Sequence, residues 1–433
     1  MNTISILLFE WKHFVKSKFK VIAFLLFICS CLYSLNSGYQ LWTEQNKKVD
    51  HLENKTQKNN QKVLDYFDKN LKGPKDRPWI DVTNPFWAIY YAEKNVIKTP
   101  SALLPFAIGQ TEHYGFHKEI TTSSTTYDSD LVEEIANPER LGIGNLDFGF
   151  ALLYLTPMLL IILLFNIGGL ENDFQFTKLI KIQYGNTTGW LIKRFLFYYI
   201  FILISIYAVI LIFAFLTEAL ALLAFYKFVL LITIYITLWF LGFLFINKSM
   251  QSSQTNAVKM ISSWLLFCVL IPAFINQYAS YKFPINYMTS FLDANRDEVY
   301  KMYELPKDGL KQQLLSKIPK LKNTVVGKNP AIDEEAIMNG MITLISEKNN
   351  KAIKEIEKGH EQKNVFIQNT YWFNPITFFQ NKMDESSNSD YYAFLNFRKQ
   401  IEQESLKKQK LLLFDSWNKI KVDKQRYQYY LKN

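Results

Sequence analysis

The chain has three cysteines in 433 residues, and none lies in a polar stretch. Cys29 and Cys31 fall in one long apolar run and Cys268 in another. The polar parts therefore contain no disulfide, and no zinc ligand set of the CxxC kind exists. Catalytic signatures are missing as well. The one Gly-Lys pair, Gly327-Lys328, is followed by Asn329, so there is no phosphate-cradling P-loop. GxSxG, HExxH and a paired cysteine–histidine arrangement are all absent. His113 and His117 are four apart, as a metal on a helix would require. Gly115 between them and the lack of carboxylate or cysteine partners favour ordinary surface histidines. The chain is not expected to be an enzyme, and no acid–base or nucleophile set can be assembled.

Charge is missing from five long stretches, and that absence is the most informative one. Val21–Thr43, Phe148–Leu170, Phe195–Thr217, Phe228–Asn247 and Met260–Tyr281 hold no Asp, Glu, Lys or Arg. Roughly 20 mainly apolar residues cross about 30 Å of hydrocarbon as a helix. A helix apolar all round has no wet face and is stable only in lipid. The uncharged interiors also argue against a proton-driven pump, which needs ionisable groups to relay the ion.

What is present must be read around that scaffold. The composition is 49% hydrophobic, yet the mean hydropathy is only −0.04. Large polar parts therefore accompany the spans. The net charge of +10 is spread along the chain, which is not a nucleic-acid signal. Lys12, Lys16, Lys18 and Lys20 precede the first span, and Lys178, Lys181, Lys193 and Arg194 separate the second from the third. The positive-inside rule then puts the N-terminus in the cytoplasm. The charged leader is too long for a cleaved signal peptide. Two large segments, 44–147 and 282–433, fall outside and suggest an ordered extracytoplasmic domain.

Residues Thr3–Lys18 read as an imperfect amphipathic helix. Ile4, Leu7, Leu8, Trp11, Phe14 and Val15 share one face, and Ile6 and Phe9 spoil the other. Trp42–Lys72 reads as a polar helix ending near Gly73-Pro74. Thr121–Thr126 suits strand or loop. Asn329-Pro330 reads as N-cap and first helical residue, with Asp333, Glu334 and Glu335 in the first turn. Asn364–Asn381 is charge-free but too rich in Asn, Gln and Thr for a span. Its Trp372, Phe373, Phe378 and Phe379 are expected to fill a domain core, with the outer leaflet as the alternative. Phe394, Phe397 and Ile401 mark a final long helix.

Three features together resemble the permease subunit of a bacterial type-2 ABC transporter, in the subgroup with a long extracytoplasmic insert between spans one and two. The leader with Glu10-Trp11-Lys12 and Lys16 is similar to that family's cytoplasmic elbow helix. Asn137-Pro138-Glu139-Arg140-Leu141-Gly142-Ile143-Gly144-Asn145-Leu146-Asp147-Phe148, running into Leu155-Thr156-Pro157, resembles the family's approach to span two. Glu171-Asn172-Asp173-Phe174-Gln175-Phe176-Thr177-Lys178-Leu179 lies where the family has an acidic pair, a Gly-Thr and a Leu-rich coupling helix. Gln175 and Phe176 depart from the Gly-Thr.

The resemblance implies a mainly α, polytopic membrane protein. Its parts are an elbow helix at 1–20, spans at 21–43, 148–170, 195–217, 228–247 and 260–281, a coupling helix and loop at 171–194, and outer segments at 44–147 and 282–433. The family's six spans imply a further one after Asn433. It also implies a second permease, identical or similar, and a separate cytoplasmic ATPase that holds ATP and Mg. No cofactor is expected in this chain. The coupling helix would be Glu171–Tyr184, with Glu171 and Asp173 as the acidic pair. Phe176, Leu179 and Ile180 would enter an ATPase groove, while Lys178 and Lys181 meet its acidic rim. Pro157 and Pro272 are candidate bend points. The other readings are a membrane sensor and a structural anchor of an envelope complex, either using its outer domain to bind a ligand or partner.

Overall fold

The computed structural model describes residues 3–112, 114–125, 147–284 and 294–432. It is mainly α, and five of its helices are long and apolar enough to cross a membrane. The stretch Asn137–Leu146, His113 and Thr126 lie outside the described residues.

Helix α1 (Thr3–Lys16) breaks at Ser17, and α2 (Lys18–Asp68) begins at once. The first apolar run and the polar helix expected after it are one rod of 51 residues. At 1.5 Å per residue this is roughly 75 Å. The sequence explains the continuity: no Pro or Gly stands between Gly38 and Gly73. Gly38 is itself required, because a Cβ there would lie 2.7 Å from the Pro105 carbonyl oxygen. The loop at Leu104–Phe106 thus docks directly on α2.

The second span begins at Phe148, passes through a π turn (Ala151–Leu155) and continues as α4 (Thr156–Leu164). Its apolar window is 67% buried, against 22–33% for the other four, so it is the central helix. Two short helices follow, α5 (Gly169–Asp173) and α6 (Thr177–Tyr184). Helices α7 (Thr187–Leu216) and α8 (Leu223–Lys248) pack on each other and on α4. The fifth span is α9 (Ser253–Trp264), a second π turn (Leu265–Leu270) and α10 (Ile271–Lys282).

A polar head is built on the far end of α2. It contains α3 (Pro85–Tyr91), strands β1 (Asn95–Ile97) and β2 (His117–Glu119), α11 (Ala294–Glu304) and α12 (Lys307–Lys317). The long α13 (Glu334–Asn369), α14 (Pro375–Ser386), α15 (Tyr391–Trp417) and α16 (Lys424–Lys432) complete the chain. Helix α15 is the head's axis. Phe394, Phe397 and Ile401 pack with Val96 and Ile120. Leu412 joins Val63, Ile80 and Tyr427, while Leu413 and Trp417 join Leu314 and Ile337. Burying each of these side chains is worth about 1.5–3 kcal/mol.

Several expectations are corrected. Helix α13 starts at Glu334 with Asp333 as N-cap, whose carboxylate accepts from the Ala336 N–H at 3.0 Å. Asn329 instead closes a tight turn by accepting from the Ala331 N–H. His117 is a strand residue paired with Ile97, and His113 lies outside the described residues. Thr121–Thr125 takes the loop alternative of the two open for this run, as a hydroxyl-bonded turn.

The largest difference concerns 364–386. Helix α13 descends along α10, with Phe366 against Tyr278 and Lys363 bonded to Ser280. The chain turns at Thr370–Asn374 and returns as α14, which packs on α8 and on both π turns. Phe379 meets Tyr235, midway along α8, edge to face at 5.0 Å. Ile376, Phe379 and Met383 belong to the core of the apolar bundle, not to that of the head. Trp372 at the turn is 85% exposed. The segment is therefore a helical hairpin inserted among the spans.

Candidate functional site

Two regions carry chemistry. The first is the lysine-rich end of the bundle. Arg194, near the start of α7, is buried and pairs with both Glu10 of α1 and Glu171 of α5. Its guanidinium stacks over the Trp190 ring, 4.7 Å from the centroid. The second Glu171 oxygen accepts from the Gly168 N–H at 3.0 Å. Lys20, also buried, donates to the Leu163 carbonyl at 2.8 Å and to Asn166 at 2.9 Å, where the C-terminal end of α4 attracts a cation. Asp173 accepts from the Ser253 N–H at the start of α9, 3.2 Å away. Gly169 permits this approach, since a Cβ there would lie 2.8 Å from Ser253 Cα. Glu171 and Asp173 thus tie α5 to its neighbours.

The same network explains α1. Ile6, Glu10 and Phe14, four apart, form its buried inner face. Ile4, Leu8, Trp11 and Val15 form an exposed apolar face, so Ile6 does not spoil the helix but packs it onto the bundle. Lys12 and Lys16 point outward.

Glu171–Tyr184 is not one helix. The chain turns at Phe174–Phe176 with Gln175 at φ +58°, in the left-handed region. Glycine is the residue that takes this backbone without a steric cost. Gln175→Gly is expected to stabilise the chain by about 1 kcal/mol. A raised thermal midpoint of the purified protein would show it; a lowered one would contradict the strain. Phe176 at the N-cap of α6 and Leu179 and Ile182 within it are exposed, with Lys178 and Lys181 beside them, whereas Ile180 packs inward. The outward face is therefore Phe176, Leu179 and Ile182, not Phe176, Leu179 and Ile180.

The second region surrounds the two prolines. Pro157 and Pro272 each lie two residues beyond the end of a π turn. Proline has no N–H to give the carbonyl four residues back. For Pro157 that carbonyl belongs to Leu153, and the Tyr235 hydroxyl of α8 donates to it. The Trp264 indole donates to the next carbonyl, that of Tyr154, at 3.2 Å. The central helix is bonded to two neighbours at its irregular turn. Such π turns recur at functional sites. Asn374, at the hairpin turn, is wholly buried with neither side-chain polar atom partnered, and each such group costs about 1–3 kcal/mol.

Between the hairpin, α10 and the first π turn lies a cavity of about 640 Å³. Tyr154, Pro272, Asn276, Gln368, Gln380 and Asp384 are among its walls. Burial, with the Asp147 and Asp390 carboxylates nearby, pushes the Asp384 carboxyl up to about 8. A carboxyl bound more tightly to its proton when folded contributes stability below its unfolded pKa, near 4. That contribution is lost as pH rises through about 8. The thermal midpoint is expected to fall between pH 5 and 8.5 by more in the parent than in Asp384→Asn. Equal slopes would contradict the shift.

Arg194 and Lys20 stand out in the sequence only as orientation charges, and no local pattern marks Tyr235, Asp384, Asn374 or Ile182. The Ile6–Glu10–Phe14 spacing was the available signal for the buried charge network. No family model, curated protein or solved structure matches this chain.

Proposed function

We propose that this chain is the membrane-spanning permease subunit of an ATP-driven transporter of the type-2 ABC kind, in a bacterial cytoplasmic (inner) membrane. The lysine-rich end of the bundle faces the cytoplasm and the head lies outside. Two permeases, identical or similar, dock two copies of a separate ATPase, and export is the family's commoner direction. The observation that carries this reading is α6 with its N-cap: exposed Phe176, Leu179 and Ile182 and two lysines on one short helix and the residue before it. That helix is coupled through α5 and the Glu171–Arg194–Glu10 contacts to α7 and α1. An apolar patch of this kind on a soluble face marks a protein contact. The left-handed Gln175, at the family's glycine position, supports the same alignment. The exposed face of α1 lies in the lipid interface as an elbow helix. Pro157 and Pro272 let the central and fifth spans bend when the ATPases close.

A photo-reactive residue at Ile182 tests the docking face. It is expected to cross-link to a P-loop ATPase in native membranes, while the same residue at Trp372 is not. Cross-linking to lipid alone at position 182 would reject the docking role.

A further inference from the structure

We propose that the cavity between the hairpin, α10 and the π turn before Pro157 binds a primary-ammonium group carried on a hydrogen-bonding body, as in a polyamine or a lysine-bearing peptide. That such a ligand is cargo rests on the permease reading; that it binds does not.

The cavity's position is the first argument. It opens where the central and fifth spans both lose regular helical bonding, and a half-inserted hairpin forms its remaining wall. Membrane proteins build small-ligand sites from broken helices of this kind. Its lining is the second. Polar side chains among apolar helices are costly unless they meet partners or a water-filled space. Asn276, Gln368 and Gln380 line the space, and all three are exposed, so it is an open cleft with an amide-rich wall. About 640 Å³ falls within the 300–1,000 Å³ of small-ligand sites. Amide groups both donate and accept, so they suit a body of mixed hydrogen-bonding character.

Charge then selects the ligand's head. The walls carry Asp384, Glu385 and Asp390 against Lys382 alone. Lys382 is paired with Glu385 at 2.5 Å, while Lys98 donates to the Asn388 carbonyl and lies within electrostatic reach of Asp390, whose carboxylate caps α15 by accepting from the Tyr392 N–H. Among the described residues no lysine or arginine reaches ion-pair distance of Asp384 or Asp390. Tyr154, Tyr371 and Tyr391 also line the space. Burial and two neighbouring carboxylates hold Asp384 mostly protonated at neutral pH, and an ammonium beside it would favour the carboxylate.

Calorimetry on the purified full chain in detergent tests this with four probes. They are spermidine, glycyl-glycyl-lysine amide, the same peptide acetylated on both amines, and the neutral sugar maltotriose. Spermidine or the free peptide is expected to bind at least about tenfold more tightly than the acetylated peptide and the sugar. Preference between the two amine probes identifies the ligand's source. Asp384→Asn should weaken the amine probe by about tenfold or more while leaving ATPase association unchanged. Should that variant fold poorly, the acetylated comparison on the parent protein decides alone. Equal binding of the acetylated peptide or of maltotriose would overturn the proposal. So would no amine binding at millimolar concentration in a sample that still holds its ATPase, an outcome that leaves the permease reading standing.

Discussion

Replacing Arg194 with Met is expected to destabilise the protein by about 3–5 kcal/mol and to free α1 from the bundle. Glu10 is wholly buried, and Glu171 is largely so. Removing the guanidinium leaves two carboxylates facing each other with no cation between them. Desolvation and mutual repulsion then both favour unfolding or protonation. The network is not claimed as a large net gain over an apolar core, since buried ion pairs roughly break even against well-packed hydrophobes. The triple variant Arg194→Met, Glu10→Gln, Glu171→Gln should therefore recover most of the loss. Thermal midpoints in detergent and protease cleavage near Ser17 report the two effects. An Arg194→Met protein as stable as the parent, with α1 still protected, would show that the contacts do not hold the helix.

Leu179→Asp is expected to abolish ATPase association while leaving membrane insertion and thermal stability unchanged. The side chain is 54% exposed, so a carboxylate there stays hydrated and costs the fold little. At an apolar docking face the same carboxylate must be desolvated without a partner. The adjacent position is the control. Ile180 packs on the bundle, so Ile180→Asp should lower stability. Co-purification and unfolding measured on both variants separate the two roles. Normal ATPase recovery with Leu179→Asp would remove α6 as the docking element.

The membrane bundle was legible because its signal is simple: five runs without charge, each long enough to cross hydrocarbon. The first-turn acids Glu334 and Glu335 and the Phe394–Phe397–Ile401 stripe were also readable, since cap chemistry and helical period are local. The hairpin was not. Asn364–Asn381 is too polar for lipid, and composition alone does not say that its polar side faces a cavity while Ile376 and Phe379 face α8. The inner face of α1 is hidden in the sequence for a related reason. A helix that meets lipid on one side and protein on another has two apolar stripes, and Ile6 belongs to the second. The buried pairing of Glu10 with Arg194 spans 184 residues of sequence, a separation that no local pattern encodes.

The central claim is that this chain works with a separate ATPase. Purifying the tagged full chain in mild detergent from its native membrane, and measuring the mass and composition of what elutes, tests it most directly. The account predicts two permease chains, identical or similar, with two copies of a P-loop ATPase. A folded chain that elutes with no ATPase would contradict it and favour a sensor or anchor.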